Sequence, residues 1–217
     1  MECLRPFSPV LKGGDLKMSR NRILMIVGAF ALLLIVLTTC GVNRIPTAEE
    51  QAKAKWADVQ NYYQRRSDLI PNLVATVRAA AAQERNVLRE VTEARASASR
   101  IQVTGEQLTD PAAMARFGEA QSRLTLSLQR LQEAYPELHT NQNFLSLQDQ
   151  IEGTENRIAT ARRDYNEAVR QYNTTIRTFP TVLAARIIYG AEAMANYEAD
   201  QRAQSAPDVG AAFGNNQ

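Results

Sequence analysis

The side chains best suited to chemistry are scarce in this sequence and stand far apart. Among 217 residues there are two cysteines, Cys3 and Cys40, and one histidine, His139. These numbers exclude a disulfide framework, a cysteine-based zinc site and a centre with several histidine ligands. His139 has no obvious serine or cysteine nucleophile as a partner, so a catalytic triad has little support. The adjacent carboxylates Glu49 and Glu50 point in different directions on a helix, which argues against an acid and base pair.

We therefore expect a noncatalytic protein without a cofactor. The alternative is a ligand-binding or metal-dependent module that uses polar residues of a helical bundle. Di-iron bundles combine inward carboxylates with Glu-x-x-His motifs, and neither such motif occurs in this sequence.

Polar residues are concentrated in three runs, which we interpret as candidate interaction sites. Arg66 falls on an apolar seam, where a charge is costly unless it is paired. One hypothesis pairs Arg66 with Glu152 or Asp149 of a distant helix, which would fix the register of the two helices. The alternative is a helix that rotates at Pro71 and leaves Arg66 solvated. The candidates are Arg65, Arg66, Asp68, Pro71, Asn72, Asn141, Asn143, Asp149, Glu152, Asn156, Arg163 and Asp164.

Long helices must position these residues. Apolar residues recur at alternating steps of three and four over residues 56–101, and this heptad pattern predicts a long helix that packs against partner helices. Pro71 is its one irregularity, because proline cannot donate to the carbonyl of Ser67. Either the helix kinks at Pro71 and continues, or Asp68 caps a new helix with Pro71 in its first turn.

Further helices follow in the second half of the chain. Asp110 and Pro111 are a strong helix start, a capping carboxylate followed by proline at the first helical position. A second long seam spans residues 144–179, with Phe179 as its last core position. Gly153 within it costs about 1 kcal/mol of helix propensity relative to Ala, which suggests a close approach by a neighbouring backbone. The pattern predicts an all-α fold, an elongated antiparallel up-and-down helical bundle.

The N-terminus indicates export or membrane insertion. Residues 1–22 form a basic leader, in which Met18 is the start expected for a normal signal region, so that residues 1–17 would not be native. No charge occurs between Arg22 and Arg44, and residues 23–40 suit a transmembrane or signal-anchor segment. Basic residues before this segment favour a cytoplasmic N-terminus and an exported C-terminal domain.

Cys40 is the candidate lipidation site. Residues 37–40 resemble a bacterial lipobox, apart from Thr39 before the cysteine. Three outcomes stay open: a lipoprotein lipidated at Cys40, an uncleaved single-pass anchor, and a plain cleaved signal.

The rest of the chain is nearly neutral. The leader before Cys40 holds five of the 25 basic and two of the 23 acidic residues, so the net charge of +2 comes from the leader. We therefore expect no nucleic-acid partner. Residues 182–200 are apolar enough for a short C-terminal helix or cap, and the composition of residues 201–217 predicts a disordered tail.

Five stretches closely resemble the bacterial LemA family. They read AKWADVQNYYQRRSDLIPNLVATV (54–77), EVTEAR (90–95), YPEL (135–138), NQNFLSLQDQIEGTENRIATARRDYNEAVRQYN (141–173) and RTFPT (177–181). The resemblance covers residues 45–181 and implies a membrane-anchored antiparallel bundle of four helices, the first two separate or one helix kinked at Pro71. It implies no catalytic residues, because the molecular function of the family is not established. After Thr181 the sequence departs from the aromatic, Lys and Pro segment that is common in the family.

Genes of this family often lie beside those for TPM-domain proteins and membrane metallopeptidases, which implies envelope proteins as partners. Together with the absence of reactive side chains, the resemblance predicts a membrane-anchored scaffold or adaptor of the bacterial cell envelope. We expect it at the cytoplasmic membrane, single-pass or lipid-anchored, with the bundle on the periplasmic side.

Overall fold

A computed structural model of the chain describes residues 20–80 and 85–198. The helices are α1 (Arg20–Val42), α2 (Arg44–Ala80), α3 (Arg85–Arg100), α4 (Pro111–Ala134), α5 (Gln142–Arg177) and α6 (Thr181–Ala184). Short 3-10 helices cover Gly105–Thr109 and Pro136–Thr140, and a π-helical turn, Ala185–Tyr189, follows α6. The described residues include no strand. The prediction of an all-α helical bundle is thus confirmed.

Helices α2 to α5 form the bundle, in which α2 packs against α5 and α3, and α3 packs against α4, each pair antiparallel. Ser67 on α2 lies beside Ser99 on α3, with 3.2 Å between their hydroxyl oxygens. Arg130 of α4 forms an ion pair with Glu90 of α3, and Lys55 of α2 lies 3.5 Å from Asp164 of α5. These pairs place the end of α5 at the same end of the bundle as the start of α2.

Pro71 lies inside α2, which continues to Ala80. The alternative in which Asp68 caps a new helix is therefore wrong. The prediction of one continuous helix over residues 56–101 is wrong as well, because α3 begins at Arg85 and runs back along α2. Proline at position 71 leaves the carbonyl of Ser67 without its helical donor. Arg95 of α3 donates to that carbonyl from Nε at 2.8 Å. This hydrogen bond explains how the helix accommodates the proline.

The apolar seams form a core in two parts. One cluster includes Trp56, Tyr63, Phe117 and Tyr165, and the other is formed by residues of α2 to α5, including Leu131. Where the helices pass from one cluster to the other they carry buried polar residues, which are Arg66, Ser67, Gln121 and Thr154.

Two details of the α5 seam differ from the prediction. Phe179 is 77% exposed and does not belong to the core, because α5 ends at Arg177 and the chain leaves the bundle axis there. A Cβ atom added at Gly153 would meet nothing within 4 Å. The close backbone approach predicted at Gly153 is therefore wrong, since this glycine faces open space. The predicted cap of α4 is correct: Asp110 accepts from the backbone N–H of Ala112 at 2.8 Å.

The predicted membrane anchor coincides with α1. Among the residues that the structure describes, no helix is at once long enough and apolar enough to cross a membrane, so the anchor is not supported by this finding. The side chain of Cys40 lies outside the described part of the chain, as do residues 1–19 of the predicted leader and the predicted tail, 201–217.

Candidate functional site

A buried arginine connects three helices in the middle of the bundle. The side chain of Arg66 is 1% exposed. Its Nη1 atom donates to Thr125 Oγ1 at 2.9 Å, and its Nη2 atom donates to Gln121 Oε1 at 2.7 Å, both on α4. Its ion-pair partner on α5 is Glu155. Because the guanidinium is saturated with protein acceptors at both terminal nitrogens, this network holds the helices in register.

The predicted partners of Arg66 are therefore wrong, and so is its solvated alternative. Glu152 is exposed and accepts a hydrogen bond from Gln148 Nε2 at 2.9 Å. Asp149 is exposed as well. Glu155 lies almost one helical turn after Glu152, on the side of α5 that approaches α2.

The C-terminal end of the described chain forms an extended segment, residues 191–198, which we call the strap. Gly190 before it has a positive φ of 56°, the left-handed conformation that glycine adopts without steric cost. The strap runs beside α5, and the N–H of Ala195 donates to the carbonyl of Leu108 at 2.7 Å. The chain thus returns to the bundle after α6 instead of leaving it.

Two asparagines of α5 bind the strap through its backbone. Asn173 accepts from the N–H of Met194 and donates to its carbonyl, each at 2.9 Å. Asn166, seven residues earlier, makes the same pair of hydrogen bonds with Tyr197, at 2.8 Å and 2.9 Å. An amide side chain that accepts and donates at one residue recognises an extended backbone whatever its side chains are. This surface of α5 is therefore built to bind extended polypeptide.

The side chain of Tyr197 anchors the strap in the core. Its ring packs at centroid distances of 6.3 Å from Trp56, 6.4 Å from Tyr63 and 6.3 Å from Phe117. Its hydroxyl lies 2.8 Å from that of Tyr63, and the guanidinium carbon of Arg162 lies 4.1 Å above its ring. Burial raises the pKa of Tyr63 and that of Tyr197. Both hydroxyls therefore stay protonated at neutral pH, and either one can donate the hydrogen bond that joins them.

An open groove runs between the exposed side of α5 and the outer edge of the strap. We call it the α5 groove. Arg163, Arg170 and Arg177 line it at intervals of seven residues, beside Tyr197 and Glu198 of the strap. Arg170 is paired with Glu167. With Glu167 and Glu198 in the same lining, the three arginines leave the groove an excess of one positive charge, next to a surface that already binds polypeptide.

The model of the LemA family matches residues 55–210, which is more than half of the chain. The chain belongs to the LemA family. A search of curated proteins found no match. The matched range includes α2 from Lys55 onward, α3 to α6 and the strap, so the strap lies within the part of the chain that matches the family.

In this LemA family protein the residues proposed from the sequence do not meet in one site. Asn141 caps α5 by accepting from the backbone N–H groups of Asn143 and Phe144, at 3.0 Å and 3.2 Å. Arg163 lines the α5 groove, and Asp164 pairs with Lys55. The other candidates lie exposed along α2 and α5; they are Arg65, Asp68, Pro71, Asn72, Asn143, Asp149, Glu152 and Asn156. In the part of the chain described, no three His, Cys, Asp or Glu side chains cluster in a way that could hold a metal ion.

Sequence reasoning missed Asn166, Asn173 and Tyr197. The interval of seven residues between the two asparagines places them on one side of α5, next to the buried Tyr165 and Tyr172. From the sequence, this interval indicates that the two amides can bind one partner. The sequence does not identify the strap as that partner, because the asparagines bind its backbone and its residues show no periodic pattern.

Proposed function

We propose that this protein is a noncatalytic, membrane-tethered scaffold or adaptor of the cell envelope that binds partner proteins along the α5 groove. The observation that carries the proposal is the pair of asparagines that bind the strap backbone beside the arginine row. A surface that holds one extended segment through main-chain hydrogen bonds has the chemistry to hold a second one alongside it. Both terminal nitrogens of Arg66 donate to protein acceptors, and this structural use of the buried charge supports a scaffold over an enzyme.

The proposed tether is the N-terminal segment that includes α1. Apolar side chains of this helix are between 45% and 70% exposed, and they are Ile23, Leu24, Met25, Ile26, Val27, Phe30 and Leu32. Monomeric soluble proteins rarely leave so many contiguous apolar side chains uncovered. Anchorage by this segment, with or without a lipid on Cys40, would place the bundle on the periplasmic side of the cytoplasmic membrane.

The partners we propose are envelope proteins, with TPM-domain proteins and membrane metallopeptidases as the first classes to test. The arginine row favours a partner segment that carries carboxylates, because guanidinium and carboxylate groups form paired hydrogen bonds. A partner segment bound in extended form would satisfy this requirement and the geometry of the groove.

Affinity capture from detergent-solubilised membranes tests the adaptor function. The groove variant replaces Arg163, Arg170 and Arg177 with Gln. The control variant makes the same change at three exposed arginines elsewhere, Arg78, Arg89 and Arg123, so that both variants lose the same charge. We expect wild type and the control variant to retain a partner that the groove variant loses. Recovery of one set of proteins with all three, or of no partner with any, would contradict the proposal.

The tether is tested by mass determination of the mature protein extracted from membranes. Cleavage before Cys40 with an added lipid mass indicates a lipoprotein, and an intact N-terminal segment in the membrane fraction indicates a spanning anchor. Either result supports the tether. Release of the protein from membranes by alkaline washing would refute it.

A further inference from the structure

Apolar side chains point outward from the short helical segment that follows α5. Leu183 is 55%, Ile187 80% and Ile188 63% exposed, whereas Thr181 and Ala185 are buried. The segment therefore packs on the bundle with its small side chains and turns its large ones towards solvent. With Phe179, which is also exposed, the outward residues form what we call the terminal stripe: Phe179, Leu183, Ile187 and Ile188.

This orientation is the reverse of that in an ordinary surface helix, where large apolar residues face the core. Leu183 and Ile187 are spaced by four, so they lie on one side of the helical segment, and Phe179 precedes them in the turn before α6. Four large apolar side chains are thus exposed within ten residues of the chain, and exposed apolar patches mark sites of contact with a protein or a membrane.

Positive charges flank the terminal stripe. Arg186 is exposed within the π-helical turn, and Arg177 is exposed in the last turn of α5. The first residue of α2, Arg44, lies exposed at the same end of the bundle, because α2 and α5 are antiparallel. The described residues 179–190 contain no Asp or Glu. The surface is therefore apolar at its centre and basic at its margin.

The terminal stripe also lies where the chain enters the bundle from α1. Helix α1 contacts α2 and α6, and Asn43 alone separates α1 from α2. If α1 tethers the protein to a membrane, the end of the bundle nearest to that membrane is the end that carries the stripe.

We propose that the terminal stripe inserts into the headgroup region of an anionic bilayer, with Arg44 and Arg186 binding lipid phosphates. An apolar face with arginines at its edge is the pattern of helices that lie in a membrane interface, and anionic lipids attract such clusters. This inference rests on the proposed tether and adds a second membrane contact. That contact fixes the orientation of the bundle against the membrane and leaves the α5 groove accessible along its side.

Tryptophan fluorescence in reconstituted vesicles tests the inference. The chain has one tryptophan, Trp56, which is 2% exposed, so the wild-type protein gives a low baseline of quenching. The test variant is Ile187→Trp, and the matched control is Leu126→Trp, at an exposed apolar position on α4. Full-length proteins are reconstituted into vesicles of phosphatidylcholine and phosphatidylglycerol with brominated acyl chains, and flotation records membrane binding.

We expect a blue-shifted emission for Ile187→Trp in vesicles and quenching by bromine well above both the wild type and Leu126→Trp. Replacement of Arg44 and Arg186 by Gln should reduce that quenching, as should omission of phosphatidylglycerol. Flotation with no quenching above the control would refute the stripe and leave the tether intact, whereas failure of the wild type to float would refute both. A blue shift of Ile187→Trp without lipid that rises with protein concentration would overturn the inference in favour of contact between copies of the chain.

Discussion

Removal of the Arg95 side-chain donor tests how α2 continues through a proline. Pro71 supplies no N–H to the carbonyl of Ser67, and Arg95 Nε donates to that carbonyl at 2.8 Å. The substitution Arg95→Met keeps the apolar stem and removes the donor. Ser67 is only 6% exposed, so water cannot readily replace the lost partner. The variant Pro71→Ala restores the helical N–H and with it the ordinary donor to Ser67.

The structure gives the expected magnitudes. A hydrogen bond from a charged donor contributes about 1.5–3 kcal/mol, and Arg95 is only partly buried, so Arg95→Met should lower the free energy of unfolding by about 1.5 kcal/mol. For a chain of this size the loss corresponds to a decrease in melting temperature of about 3–6 °C. In the Pro71→Ala background the same substitution should lower the free energy of unfolding by less than about 0.5 kcal/mol, because the N–H of residue 71 then donates to the carbonyl of Ser67. The coupling energy between positions 71 and 95 is therefore about 1 kcal/mol.

These values come from a double-mutant cycle of four proteins: wild type, Arg95→Met, Pro71→Ala and the double variant. Urea unfolding of each purified protein, followed by far-ultraviolet circular dichroism, measures its free energy of unfolding. The matched control is Arg89→Met on the same helix, whose side chain is 71% exposed and lies 3.7 Å from Glu93; exposed pairs of this kind contribute below about 1 kcal/mol. Equal costs of Arg95→Met in the two backgrounds would refute the reasoning. So would a cost no larger than that of Arg89→Met.

Four further predictions concern other parts of the molecule. Arg66→Met should lower the free energy of unfolding by about 3 kcal/mol, because it leaves buried acceptors without a donor; an unchanged or higher melting temperature would contradict the register role. Asn173→Leu removes two hydrogen bonds to the strap, so hydrogen exchange of the strap amides should accelerate by about 30-fold, which corresponds to about 2 kcal/mol. Gly153→Ala should stabilise the protein by about 1 kcal/mol in thermal unfolding, since helix propensity rises and the added methyl group meets nothing. Burial raises the pKa of Tyr63 and Tyr197 above the unfolded value of about 10, so their contribution to stability is complete below pH 10 and is lost as the pH rises through the raised pKa; Phe at both positions should flatten that alkaline decline.

The helical framework was predictable because it depends on periodic burial. Heptad spacing correctly predicted the buried positions Trp56 and Tyr63 on α2. The pair Asp110 and Pro111 correctly predicted the start of α4. The position of the first reversal was not predictable from these signals. The apolar phase persists from α2 into α3, and the hydrogen bond from Arg95 that makes Pro71 tolerable joins residues that are distant in sequence.

The candidate site was less predictable, because it depends on contacts through the backbone. The cost of burying a charge correctly singled out Arg66, but identification of Glu155 required the relative rotation of two helices. Phe179 follows the heptad, which predicts a core position, but α5 ends two residues earlier. The strap offered no periodic signal, so its recognition by Asn166 and Asn173 could be found only in the structure.

Photocrosslinking in cells tests the central claim most directly, which is that the α5 groove binds a partner. Benzoylphenylalanine replaces Thr174, an exposed residue of the groove, and in a parallel strain it replaces Arg123, an exposed residue of α4. The proposed function predicts a discrete membrane-protein adduct from position 174 and none of that size from position 123. No adduct from position 174, or the same adduct from both positions, would contradict it.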